Sequence, residues 1–252
     1  RRQRYGNTDM HVAASLNNTA VLHYNTGHYN EAEKTFNEAL NLVALNHEEE
    51  SLAAALIRNN EAILFQSIGR YDAAVKLLQR SMEIIRKLES SKAAGYLKIW
   101  SNLALLYQQM GKYEEADAVY TELDGKLDDK SDKAALLDNR AILMMLMKRP
   151  DQIMDYLQQS KALFASATGE QSLATAKVKS DIGNYYRYQG KLGDAEPLLK
   201  DVLDVRSATL GAEHPLYVQS QEDMAILRWK QLNLKEAATL YKTVMDQTVG
   251  FI

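Results

Sequence analysis

The sequence predicts an all-α protein built of six consecutive helix pairs, and three observations carry that reading. The first is composition. Ala, Leu, Glu, Lys and Gln dominate the 252 residues, Pro occurs three times, and no β-type alternation is sustained; the abundant residues are strong helix formers. The second is a recurring turn. Gly27, Gly69, Gly111, Lys148, Gly190 and Leu232 follow one another at intervals of 42, 42, 37, 42 and 42 residues, and such a period marks stacked supersecondary units. The third is the pattern around each turn. Seven residues before it stand Ala20, Ala62, Ala104, Ala141, Gly183 and Ala225; five after it stand Ala32, Ala74, Ala116, Ile153, Ala195 and Ala237. Small residues at both places let two helices approach closely, while larger ones fill the space between pairs: Phe36, Leu78, Tyr120, Leu157, Leu199 and Tyr241.

The elements follow in order. The first pair is expected from about Thr8 to Tyr24 and from Glu31 to about Leu45, ending before Glu48, Glu49 and Glu50. Acids there favour a helix start through the macrodipole. The second helix of the second pair is expected from Asp72 to about Leu88, after which Ser90 and Ser91 offer a cap for a helix ending near Met110. The helix from Glu114 runs into Asp124-Gly125 and a cluster of Asp128, Asp129, Ser131 and Asp132. Here the spacing shortens to 37, so this helix and its loop are expected to lose the missing residues. In the fourth pair Pro150 falls in a first turn, where a missing N–H costs nothing. Thr168-Gly169 opens the way to a helix ending at Gly190, and Pro197 leaves the start of the next helix open. The sixth pair is expected from about Leu216 to Thr248. Glycine ends a helix cheaply in the left-handed conformation; Lys148 and Leu232 lack that freedom, so their turns are expected to be strained or differently built.

Several function classes are disfavoured. Net charge is −3, leaving no basic field for a phosphate backbone. No apolar run approaches the roughly 18–20 residues that span a bilayer. Cys is absent, which removes disulfides, thiolate zinc sites and cysteine nucleophiles. No phosphate-binding glycine loop, H-E-x-x-H or G-x-S-x-G is present, and the five His residues are scattered. The expectation is no catalytic site, no cofactor, no metal, no nucleic acid and no membrane partner, in a cytoplasmic protein. The chain starts at Arg1 and stops on Phe251-Ile252, and its last pair exposes Tyr241 and Val244 where a polar cap is usual. It reads as part of a longer protein, with end-to-end self-association through the last repeat as a further expectation.

Leu16-Asn17-Asn18-Thr19-Ala20 with Gly27-His28-Tyr29-Asn30-Glu31-Ala32-Glu33, and Leu210-Gly211-Ala212-Glu213-His214-Pro215, resemble motifs of the tetratricopeptide repeat. Gly6, Gly169 and Gly211 each lie 21 residues before their turn. The 42-residue unit resembles the long-repeat subclass of kinesin light chains and many bacterial arrays. That resemblance implies a right-handed superhelical solenoid spanning residues 1–252 as one domain, with repeats at about 8–47, 48–89, 90–126, 131–168, 169–210 and 211–252. It also implies that the first helix of each pair lines a concave binding face.

The helical period places residues 13, 10, 9, 6 and 3 before each turn on that face. The candidate peptide-binding residues are therefore Asn17, Asn18, Val21, Asn59, Asn60, Ile63, Lys98, Asn102, Leu105, Gln108, Asn139, Asp181 and Arg187. An amide offers both donor and acceptor to an extended peptide backbone, and neighbouring aliphatic residues accept its side chains; in resembling families Asn at these places contacts peptide backbone. The competing reading is that these Asn residues brace neighbouring helices. Asn17 and Asn59 stand where a clamp for a C-terminal carboxylate would need Lys, so no such clamp is expected. Met144, Met145 and Met147 read as core filler before binding surface, and Tyr29, Tyr71 and Tyr113 as packing. The functional expectation is a non-enzymatic scaffold for an extended peptide or partner protein. The alternative is a regulatory array controlling a caspase-like CHAT protease, kinase or transcription activator.

Overall fold

Twelve α-helices and no strand occur among residues 10–88 and 95–249, which the computed structural model describes. Their arrangement divides the chain into two compact units, residues 1–127 and 128–252. The first unit holds three pairs: α1 (Met10–Asn25) with α2 (Tyr29–Leu45), α3 (Leu52–Ser67) with α4 (Tyr71–Lys87), and α5 (Gly95–Gln109) with α6 (Tyr113–Asp124). The second holds α7 (Lys130–Leu146) with α8 (Pro150–Thr168), α9 (Leu173–Tyr188) with α10 (Leu192–Leu210), and α11 (Pro215–Lys230) with α12 (Leu234–Val249). The shortened spacing is taken out of α6, which has 12 residues against 17 in α2 and α4. Gly6, Ser90 and Ser91 lie outside the described residues.

All six turns have one construction. The residue after each anchor donates its N–H five residues back: His28 to His23 and Arg70 to Phe65 (both 2.8 Å), through Asn233 to Arg228 (2.9 Å). This is the Schellman ending, with the anchor in the left-handed region. Gly27 has φ 78°, and Lys148 and Leu232 are held there at φ 55° and 65° despite their Cβ atoms. The two non-glycine turns are thus strained rather than differently built, a cost of order 1 kcal/mol each. Replacing Lys148 or Leu232 by Gly should raise stability by about 0.5–1 kcal/mol, since glycine's greater unfolded-state freedom offsets part of the relief. Urea unfolding of the two single variants checks this; an unchanged midpoint contradicts it.

The small residues behave as the pattern requires. Ala20, Ala62, Ala104, Ala141 and Ala225 are fully buried, as are Ala32, Ala74, Ala116 and Ala195. At Gly183 a Cβ would sit 2.8 Å from Leu199 Cδ2, which explains glycine in that register. Phe36, Leu78, Tyr120, Leu157 and Leu199 fill the layers between helices, whereas Tyr241 in the last pair is exposed. Hydroxyls staple two of the pairs: Ser81 Oγ donates to the Ala55 carbonyl (3.0 Å) and Ser160 Oγ to that of Ala134 (2.8 Å). Tyr29 packs across its pair as expected, its ring 6.1 Å from that of Tyr24 on α1, although it and Tyr71 each open a second helix and are more than a third exposed.

Four of the first helices, α3, α7, α9 and α11, carry side-chain caps that fix where they begin. Ser51 accepts from Ala54 N, Asp129 from Ser131 N and Asp132 N, and Ser172 from Thr175 N. In the Leu210–Pro215 motif, Gly211 ends α10 at φ 82° and Pro215 occupies the first turn of α11. His214 Nδ1 caps that helix by accepting from Leu216 N (3.1 Å). Pro197 sits inside α10, in its second turn.

Candidate partner-binding wall

Within the first unit, asparagines link the three first helices in a ladder. Asn102 Nδ2 on α5 donates to Asn59 Oδ1 on α3 (2.8 Å), Asn59 Nδ2 to its neighbour Asn60 Oδ1 (3.3 Å), and Asn60 Nδ2 to Asn17 Oδ1 on α1 (3.0 Å). Both inter-helix rungs span 43 residues, one repeat plus one position. Mid-helix asparagine weakens a helix by competing for its backbone; here the amide instead spends its hydrogen bonds on the next repeat. Asn59 is fully buried and so braces the stack without meeting solvent. Asn17, Asn60 and Asn102 are half-buried and Asn18 is exposed.

Aliphatic side chains stand beside that ladder. Val21 and Ile63 are half-buried and Leu105 is 41% exposed. Gln108 Nε2 donates to Tyr120 Oη (3.0 Å), and Gln66 Nε2 reaches Gln109 Oε1 on α5 (2.7 Å). Lys98 is exposed.

The second unit builds the same register from charge. Asp138 on α7 and Asp181 on α9 are 43 residues apart, as are Ser180 and Asp223, whose Oγ and Oδ2 lie 3.4 Å apart. Lys177 pairs with both Asp138 and Asp181, the latter at 3.1 Å. Asp138 is 2% exposed. Burial pushes the Asp181 carboxyl up to about 6; the negative charge of Asp138 pushes the same way, and Lys177 opposes them. Arg187 is committed to Asp223, donating to its backbone carbonyl (3.2 Å) and to Oδ1 (3.4 Å). Burial raises the Asp223 carboxyl, against the pull of Arg187 and a hydrogen bond from Asn184. Asn139 is half-buried.

Beside Asp181 a cavity of about 600 Å³ opens between α7, the start of α8, and α9. Ile142, Met145 and Leu146 form one wall, Pro150 and Ile153 a second, and Tyr185 and Tyr188 a third. Asp181 and Asn184 supply polar atoms, and Lys148 lies at the turn. Met144, by contrast, is buried in the core. No helix among the described residues is long and apolar enough to cross a membrane. No three His, Asp or Glu side chains among them gather as metal ligands.

The family model described as tetratricopeptide repeat matches residues 51–123, 132–208 and 180–247. The chain belongs to the tetratricopeptide repeat family. A second model, anaphase-promoting complex subunit 5, matches the short stretch 3–61. No curated protein matches the sequence. Among solved structures with this tetratricopeptide architecture is BtubC (BKLC) from P. vanneervenii, 17% identical, covering 88% of this chain and 90% of its own, with a TM-score of 0.74. A putative kinesin light chain from Podosopora anserina with nearly identical TPR-like repeats is 19% identical, covers 96% and 98%, and scores 0.51. A Rap protein complexed with competence and sporulation factor is 12% identical, covers 92% and 73%, and scores 0.59. At these identities the likeness concerns the fold.

In the two tetratricopeptide units the residues singled out from sequence fall into groups by fate. Asn59 is interior, Asp181 and Arg187 hold ion pairs with the protein itself, and Asn17, Asn60 and Asn102 divide their amides between the ladder and the surface. Asn18, Val21, Ile63, Lys98 and Leu105 reach solvent. The cavity residues Leu146, Tyr185 and Tyr188 escaped sequence reasoning. Tyr188 is 84% exposed, and a tyrosine two residues before a turn carries no signal separating it from packing residues.

Proposed function

We propose that this chain is a non-enzymatic scaffold that holds a partner protein or an extended peptide along the first helices of its pairs. The observation that supports this best is the strip on α1, α3 and α5, where Leu105, Ile63 and Val21 run beside amides only partly used by the ladder. An asparagine amide has about four hydrogen-bonding positions; Asn17 and Asn102 each spend one on a neighbouring repeat. The remainder suits a polypeptide backbone, whose N–H and C=O groups alternate, with aliphatic residues beside it for side chains. The net charge of −3 favours a protein partner over a nucleic acid. A Rap protein of the same fold was solved in complex with a factor, which supports the reading by analogy of architecture.

The test is a displayed peptide library selected on the protein, with the binders re-measured on variants. Leu105→Glu and Ile63→Glu should each weaken selected binders by about tenfold or more, the range of an anchoring contact. Lys76→Glu, on the exposed side of α4, should leave them within about twofold, as surface changes away from a contact do. Binders indifferent to both wall substitutions overturn the proposal. Asn60→Ala with Asn102→Ala is a poorer probe, because it also removes rungs of the ladder.

A further inference from the structure

We propose that the cavity between α7, α8 and α9 receives the side chain of an arginine or lysine from the bound polypeptide, its stem against the apolar walls and its cation at Asp181. The inference rests on the reading of the chain as a polypeptide-binding scaffold and names what one part of it selects.

Charge balance points to a cation. Asp138 from α7 and Asp181 from α9 share one lysine, Lys177, so the cluster lacks one positive charge. Asp138 is 2% exposed and its Oδ1 is buried without a hydrogen-bond partner. In the same register the first unit uses neutral amides, which need no compensation. Two cations of the same unit are already committed: Arg206 on α10, which feels Asp181, hydrogen-bonds the Leu216 carbonyl (3.0 Å) and Ser220 Oγ (2.8 Å), and Arg187 is engaged by Asp223. Neither can turn to the cluster without leaving a buried partner behind. Lys148 lines the cavity from the exposed turn and has no ion pair with the cluster.

The walls suit the rest of such a side chain. Long cationic side chains bury their methylenes along apolar surface and keep the charged head where it is solvated or paired. Ile142, Met145 and Leu146 provide that surface. Tyr185 and Tyr188 offer aromatic faces for a guanidinium or ammonium. At about 600 Å³ the space lies within the range of ligand cavities. A carboxylate or phosphate would meet Asp181 and be repelled.

Proton and cation compete for one carboxyl. Burial and the charge of Asp138 raise the Asp181 carboxyl to about 6, and a bound cation stabilises its charged form, so affinity for the cation rises with pH through that range.

The probe is N-acetylarginine methylamide, compared with its neutral isostere N-acetylcitrulline methylamide. Both are titrated against the full chain, with the Met145 methyl as the NMR reporter. The arginine probe should shift that methyl and bind about tenfold tighter or better, with the advantage shrinking from pH 7.5 towards about pH 5 and disappearing in Asp181→Asn. That variant keeps the fold's own logic, since Asn60 and Asn102 hold the equivalent place in the first unit. Equal binding of the two probes, or an arginine preference that survives Asp181→Asn, overturns the proposal. Library-selected peptides separate the two readings. Peptides lost on Leu105→Glu yet free of basic residues and indifferent to Asp181→Asn leave the scaffold standing and remove this site. Uptake of the free probe by a protein that selects no peptides overturns the polypeptide as its source.

Discussion

Glu61→Gln should make the protein more stable at pH 8 by on the order of 3 kcal/mol while changing little near pH 4. Glu61 lies on α3 and is 4% exposed. Burial pushes its carboxyl up from the ordinary 4.5 to about 7, and the negative charge of Glu33 adds to that; Arg58 and Arg70 only partly offset it. The folded state therefore holds a proton that the unfolded chain has released between about pH 4.5 and 7. Stability contributed by the neutral carboxyl is fully present below the unfolded value and is lost as pH rises through the folded one. Glutamine keeps the shape and removes the titration. Urea midpoints at pH 4.5, 6 and 8 should fall with pH in the parent around this residue and flatten in Glu61→Gln. An identical slope in both proteins would refute the assignment.

Lys177→Met should cost about 2–3 kcal/mol near neutral pH, and adding Asp138→Asn should recover most of it. Removing one partner of a buried pair leaves an uncompensated charge, a change worth about 3–5 kcal/mol in buried settings. Half-exposure of Lys177, at 53%, argues for the lower figure. Asp138, at 2% exposed, is the group left stranded. Asparagine at 138 rewrites the rung in the form used at Asn59, 79 positions earlier and the same distance before its turn. A double variant no more stable than Lys177→Met, measured by urea unfolding, would show that the charge pairing is not what holds this register.

The fold was legible because each repeat has to satisfy the same steric demand. Alanine at the close approach and glycine at the left-handed turn are nearly forced, so six imperfect copies suffice to reveal the period. Even Lys148 and Leu232, which break the glycine rule, adopt its geometry, because α8 and α12 must still fold back against their partners. The site was legible only in part. Periodicity places Asn17, Asn59, Asn60 and Asn102 on one wall, but it does not say whether an amide faces a ligand or the next repeat. The ladder depends on an offset of 43, which a 42-residue comparison passes over. Periodicity puts Asp181 and Arg187 among the candidate binding residues, but it does not reveal that Lys177 and Asp223 pair with them. Tyr188 was hidden for the opposite reason: an exposed aromatic next to a turn looks the same in sequence as a buried one.

The 43-residue offset also bears on how such a molecule can change in length. A rung always joins one repeat to the position before its counterpart in the previous repeat. Tandem duplication of residues 48–89 would therefore bring the new Asn60 against the old Asn59, a pairing Asn102 already makes. Within the first unit the amide network closes upon itself with each copy of residues 48–89 gained or deleted, and no compensating substitution is required. Copy number is then free to drift, and what selection must preserve is the phase between neighbours.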